Sequence, residues 1–135
     1  MKHTKLLCML LAALMLLSLA ACGKGGGETK DPNLLQVGDF ELLYKGACIM
    51  EDYAGNDALV LTLDFTNNSE ESTDYFWAIY ETAMHNGTEL EMGIVYLDAE
   101  TLESVDDSQY QEVAPGATVE IQTAFELDDT TGQVE

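Results

Sequence analysis

Arginine is absent from this sequence, and its five lysines stand against 25 acidic residues. A surface so poor in cations repels phosphate backbones and anionic headgroups, which excludes nucleic acid and any basic-patch attachment to membranes. The formal charge of -20 understates the imbalance, because Lys2 and Lys5 belong to a leader while every Asp and Glu lies from Glu28 onward. Without those two lysines the charge is about -22. Beyond the leader His85 is the sole imidazole, and no Gly-x-Ser-x-Gly, His-Glu-x-x-His or glycine-rich phosphate loop occurs. The chain therefore does not read as an enzyme, and His85 reads as a solvated turn residue. One imidazole and one thiol are too few soft ligands for a structural zinc site.

Long hydrophobic runs are also missing, with one exception. Residues 6–17 are an unbroken apolar run of twelve, which spans only ~18 Å as a helix against the ~30 Å core of a bilayer. Preceded by Lys2 and Lys5, it reads as the core of a cleavable export signal over residues 1–21, with a short membrane anchor as the alternative. The ending Leu19, Ala20, Ala21, Cys22 resembles a bacterial lipoprotein signal. That resemblance implies cleavage between Ala21 and Cys22 and diacylglycerol on the Cys22 sulfur, so that acyl chains hold the protein on the membrane. Cys8 leaves with the leader and Cys22 carries lipid, so Cys48 is the one remaining thiol and an internal disulfide is excluded. Set among Ala47, Ile49 and Met50 without a nearby cation, Cys48 reads as packed and inert.

Residues 22–36 read as the lipidated cysteine followed by a glycine-rich tether, long enough to hold a domain ~20 Å from the bilayer. Residues 37–135 read as one small domain with no internal repeat. The clearest strand covers residues 118–127, where Val119, Ile121, Thr123, Phe125 and Leu127 alternate with polar positions, one face core and the other wet. Leu59, Leu61, Leu63 and Phe65 alternate in the same way. A turn around Gly55 joins that strand to an earlier one carrying Phe40, Leu42 and Tyr44, with a bulge at Gly46.

Asn86 and Gly87 favour a type I′ hairpin turn. A two-residue loop there pairs Ala83 with Leu90, Ile79 with Ile94 and Trp77 with Tyr96, which buries Trp77. Glu81 is the misfit of this register and reads as a rim residue, or as the sign of a small register shift, rather than as a recessed acid. Phe76, Tyr80 and Met84 also fit a helix over residues 73–84, but the aromatic and β-branched content favours strand. About six or seven short strands with turn signals between them point to an all-β, immunoglobulin-like antiparallel sandwich.

The turn at residues 52–55, Asn67, Asn68 and Ser69 after a hydrophobic strand, Asn86 and Gly87 before Leu90 and Glu91, Pro115 to Val119, and Phe125, Glu126, Leu127 together resemble the domain of unknown function 5067 family over approximately residues 40–135. The resemblance implies a lipoprotein or other exported protein of Gram-positive bacteria with an immunoglobulin-like β-sandwich, and brings no catalytic or ligand residues with it. His85 stands where the family pattern leads one to expect glutamine. Gln133, Val134 and Glu135 look like the start of a final strand, whose truncation would leave an unpaired edge.

Carboxylates cluster at Asp52 and Asp57, around Asp106 and Asp107, and at Asp128 and Asp129. Ca²⁺ between end loops is one reading of them and solvated acidic loops the favoured one. Tyr75, Phe76, Trp77 and Tyr80 could stack on a sugar ring, but core packing is the default. Tyr75 and Tyr80 remain the binding candidates if they face solvent. The expectation is a lipid-anchored protein on the extracellular face of the cell membrane. Its non-catalytic domain would be an interaction or spacer module for an unknown extracellular protein. The alternative is a ligand-binding module for extracellular glycan or Ca²⁺.

Overall fold

The computed structural model describes residues 31–135. The leader, Ala21, Cys22 and most of the tether lie outside the described residues. In chain order the strands are β1 (Leu34–Val37), β2 (Phe40–Glu51), β3 (Asp57–Asn67), β4 (Met84–His85) and β5 (Thr88–Glu89). They continue as β6 (Tyr96–Asp98), β7 (Glu103–Ser104) and β8 (Thr118–Glu126). One helical turn, α1 (Tyr75–Ala78), follows β3, and a 3-10 helix (Val105–Tyr110) follows β7. The fold is all-β and antiparallel, as expected. Its main sheet has the order β1-β2-β3-β8, accompanied by two small ribbons, β4-β5 and β6-β7.

β2 and β3 pair as the alternation predicts, and the register slips between Tyr44 and Gly46, where the bulge is expected. Their turn is organised by Asp52, whose Oδ1 accepts from the backbone N–H of Ala54 and Asn56 at 2.8 Å each. β1 adds an edge strand within the segment that the sequence assigns to the tether. Its residues 34–36 pair with β2, although all four β1 positions are exposed.

On one sheet face Leu42, Leu63, Phe65 and Ile121 pack with Tyr75 and Val113, while Phe125 packs with Ala83 and Leu90 further along. The opposite face is wet only in part. Ala58, Val60 and Ala124 are fully buried there under Val95 and Val105, with Cys48 packed against them. The reading of one core face and one wet face is thus corrected, because Val95 and Val105, from residues 91–110, pack onto the second face and cover part of it. Where that cover ends, Lys45 Nζ lies 3.1 Å from Asp64 and 3.5 Å from Glu120.

Those crossing residues also close the outer edge of β8. Gly93 N donates to Ala124 O and Glu126 N to Glu91 O, both at 2.9 Å, and Gln122 N donates to Ser108 Oγ at 2.8 Å. Gly93 runs so near that a Cβ there would sit 3.2 Å from Glu126 N. An edge strand engaged in this way is withdrawn from pairing with other chains.

The hairpin at Asn86 and Gly87 forms, with φ of 51° and 81° at the two turn residues. Its pairing stops after Leu90 N donates to Ala83 O at 2.8 Å. The pairs Ile79–Ile94 and Trp77–Tyr96 do not form, because residues 91–93 follow β8 and Ile94 O accepts from Tyr53 N. Val134 forms an isolated antiparallel bridge with His85, in which Met84 and Glu135 exchange two backbone hydrogen bonds, at 2.7 and 2.8 Å.

Candidate functional site

The long hairpin gives way to α1 because Asp74 caps it, its Oδ1 accepting from Trp77 N at 2.9 Å. One helical turn places residues i, i+3 and i+4 on a common side. Tyr75, Ala78 and Ile79 therefore face the core, and Phe76 and Trp77 face solvent. This reverses two expectations. Trp77, read as buried, is 79 % exposed, and Tyr75, read as a possible surface ligand, is 2 % exposed. Tyr80 is 91 % exposed, as its candidacy requires. The signal that identifies α1 is an Asp cap immediately before apolar residues at that spacing.

The exposed rings form a platform. Phe76 lies 5.4 Å from Trp77 edge to face, and 4.9 Å from Tyr110 in a tilted pair. Tyr110 closes the 3-10 helix that docks on β8, so two elements fix the platform. Tyr80 stands just beyond α1. Phe76 is among the rings that the sequence offers for stacking, whereas Tyr110 has no candidate role there, because its contact with Phe76 joins segments far apart in the chain.

Beneath the platform, Tyr75 Oη donates to Glu81 Oε2 at 2.8 Å. Glu81 is the recessed acid rather than a rim residue. Its Oε1 is buried without a hydrogen-bond partner, as is Thr123 Oγ1. Burial pushes the Glu81 carboxyl up, against the hydrogen bond from Tyr75, and burial also raises the Tyr75 hydroxyl. Glu81 borders a cavity of about 210 Å³ that Tyr44, Leu61, Phe125 and Val134 also line. The misfit in the hairpin register was the sign of this acid, since a polar residue on a buried face is either out of register or held by a buried partner.

His85 is likewise buried rather than solvated, at 5 % exposure. The turn after β8 folds over it, bringing Thr131 O to 2.6 Å and Asp129 Oδ1 to 4.0 Å from Nε2.

Of the acids considered for Ca²⁺, Asp52, Asp107 and Asp129 accept hydrogen bonds from the backbone. The Asp52 carboxyl is held low by the N–H groups of its turn, with Asn56 contributing most. Asp107 Oδ2 accepts from Ser104 N at 2.9 Å, and Asp129 Oδ1 accepts from Thr131 N at 2.7 Å. Asp106 accepts from Gln109 Nε2 at 2.9 Å, and burial pushes it up to about 6, helped by the charges of Asp107 and Glu81. Asp57 and Asp128 are exposed near one another, Leu127 N donating to Asp57 O. Among the described residues no three His, Cys, Asp or Glu side chains gather into a group able to hold a metal ion.

A raised carboxyl binds its proton more tightly in the folded state, so stability falls as pH rises from the unfolded value through the folded one. For Asp106 that window runs from 3.8 to about 6, and Glu81 acts in the same direction. Asp52 and Asp129, which are lowered, withdraw their contribution only below 3.8. Urea unfolding should therefore show greater stability at about pH 5 than at pH 7, by about 1 kcal/mol after allowance for the half-exposure of Asp106. Glu81→Gln should shrink that difference, because the amide needs no proton and can donate to Thr123 Oγ1.

Among the described residues no helix is long and apolar enough to cross a membrane. No curated protein and no solved structure matches the chain. The family model for the domain of unknown function DUF5067 matches residues 27–135, which is most of the sequence, and the chain belongs to that family.

Proposed function

We propose that this protein is a bacterial lipoprotein, anchored through Cys22 on the extracellular face of the membrane. Its immunoglobulin-like β-sandwich domain binds an extracellular protein and performs no catalysis. The leader pattern supports the location. The binding role rests on the platform, where Phe76, Trp77 and Tyr110 are between 44 and 79 % exposed. Large rings with rigid backing are the residue type that concentrates binding energy at protein interfaces. The platform also favours a second reading, a module that stacks on extracellular glycan.

Photo-crosslinking on intact cells tests the first reading. Partner adducts formed by the native protein should fall about tenfold or more with Trp77→Ala combined with Tyr110→Ala. Unchanged adducts would remove the platform from the account. Location is tested independently: Cys22→Ser should release the protein from the membrane fraction, and continued membrane association would contradict lipid anchoring.

A further inference from the structure

Lys45 is the only lysine or arginine among the described residues, and it is engaged by Asp64 and Glu120 on the sheet face away from α1. His85, the other basic group, is buried against Thr131. Among the described residues the platform therefore has no cation beside it, while acids flank it. The Asp74 carboxylate reaches the Trp77 backbone at 2.9 Å. Thr73 and Val113 exchange backbone hydrogen bonds at 3.2 and 2.7 Å in an antiparallel bridge. That pairing sets Asp74 and the exposed Glu112 opposite one another just past the bridge, two residues along the chain from Phe76 and Tyr110 respectively.

An aromatic face attracts a cation through its negative quadrupole, and nearby carboxylates add to the attraction. Indole is the best of the aromatic faces for this, and Trp77 is the most exposed of the three rings linked through Phe76. A neutral sugar gains from the rings alone and nothing from the charge. An anionic partner is repelled by a chain of formal charge -20.

Resting on the proposed role of the platform in protein binding, we propose that Phe76, Trp77 and Tyr110 form a docking site for a cationic segment of a partner protein. An arginine or lysine side chain stacks over Trp77, with Asp74 and Glu112 as its counter-charges. Charge complementarity selects this occupant.

Trp77 is the single tryptophan of the chain, so its fluorescence reports directly on the site. The full chain is titrated with a capped tetra-arginine peptide and, separately, with a neutral chitin tetrasaccharide. The peptide should give a saturable change that weakens as salt rises from about 50 to about 500 mM. Tyr110→Ala, which removes no charge, should weaken it at least about fivefold, and Glu112→Gln about twofold or more. Glu100→Gln, at an exposed acid in the β6–β7 connection, should change it by less than about twofold. Equal effects of Glu100→Gln and Glu112→Gln, with none from Tyr110→Ala, would mean diffuse attraction to an acidic chain and would overturn the site. A response to the tetrasaccharide and none to the peptide would overturn the cationic occupant while leaving the platform a ligand site. Failure of the broader reading shows elsewhere, as crosslinked partners that persist when the platform is removed.

Discussion

Asn67→Asp is expected to destabilise the domain by about 3 to 5 kcal/mol at neutral pH, although the two side chains have nearly the same shape. Asn67 is fully buried at the end of β3. Its Nδ2 donates to Glu71 O at 2.8 Å and to Val113 O at 2.9 Å. Its Oδ1 accepts from Ser69 N at 2.9 Å and from Ser69 Oγ at 2.6 Å. A carboxylate keeps the second pair but turns two donor contacts into oxygens facing carbonyl oxygens. It also buries a charge without a cation. The introduced carboxyl relieves this by taking a proton, so part of the loss should return near about pH 4. In a domain of roughly a hundred residues such a loss lowers the thermal midpoint by more than about 12 °C. Since this amide ties the loop after β3 to Val113, it also holds the approach to α1, and binding at the platform should weaken with it. A thermal melt of Asn67→Asp within a few degrees of the native protein would contradict this role.

Phe65→Ala should cost a similar amount, about 3 to 5 kcal/mol. Phe65 is fully buried between Leu42 of β2 and Val119 of β8. Its ring lies 5.5 Å from Tyr75, edge to face at 84°, and 5.5 Å from Phe40. Removing it leaves a cavity under α1 that the sheet cannot close, because β3 is held by strands on both sides. Tyr80→Ala gives the contrast. An exposed ring outside the core should change stability by no more than about 0.5 kcal/mol. Urea unfolding measures both, and similar effects for the two substitutions would mean that the core is assigned to the wrong residues.

The parts of the fold legible in the sequence are those fixed by local alternation and turn chemistry. β2, β3 and β8, the bulge at Gly46, the turn at Asn86 and Gly87 and the strand-like pairing of residues 133–135 all follow from period-two patterns and positive-φ turn residues. The region between β3 and β8 was misread where tertiary contacts override the local pattern. Trp77 and Tyr96 match as a cross-strand pair on paper, but β8 has an open edge that recruits residues 91–93 first. With that partner gone, the Asp74 cap turns residues 75–78 into a helix and sends Trp77 outward. Glu81 and His85 are buried by segments distant in sequence, through Tyr75 and Thr131. No local pattern carries such contacts. Of the candidate site, Tyr80 was legible. Phe76 was legible as a possible stacking ring but Tyr110 was not, because the contact between them links two elements that only the folded chain brings together.

The binding role depends on Trp77 standing in solvent on a folded domain. Acrylamide quenching of its fluorescence tests that directly. The expected result is quenching in the native protein nearly as efficient as in the urea-unfolded chain, with little change in emission wavelength between the two. Emission shielded in the native state and shifted to the red only on unfolding would return Trp77 to the core and contradict the platform.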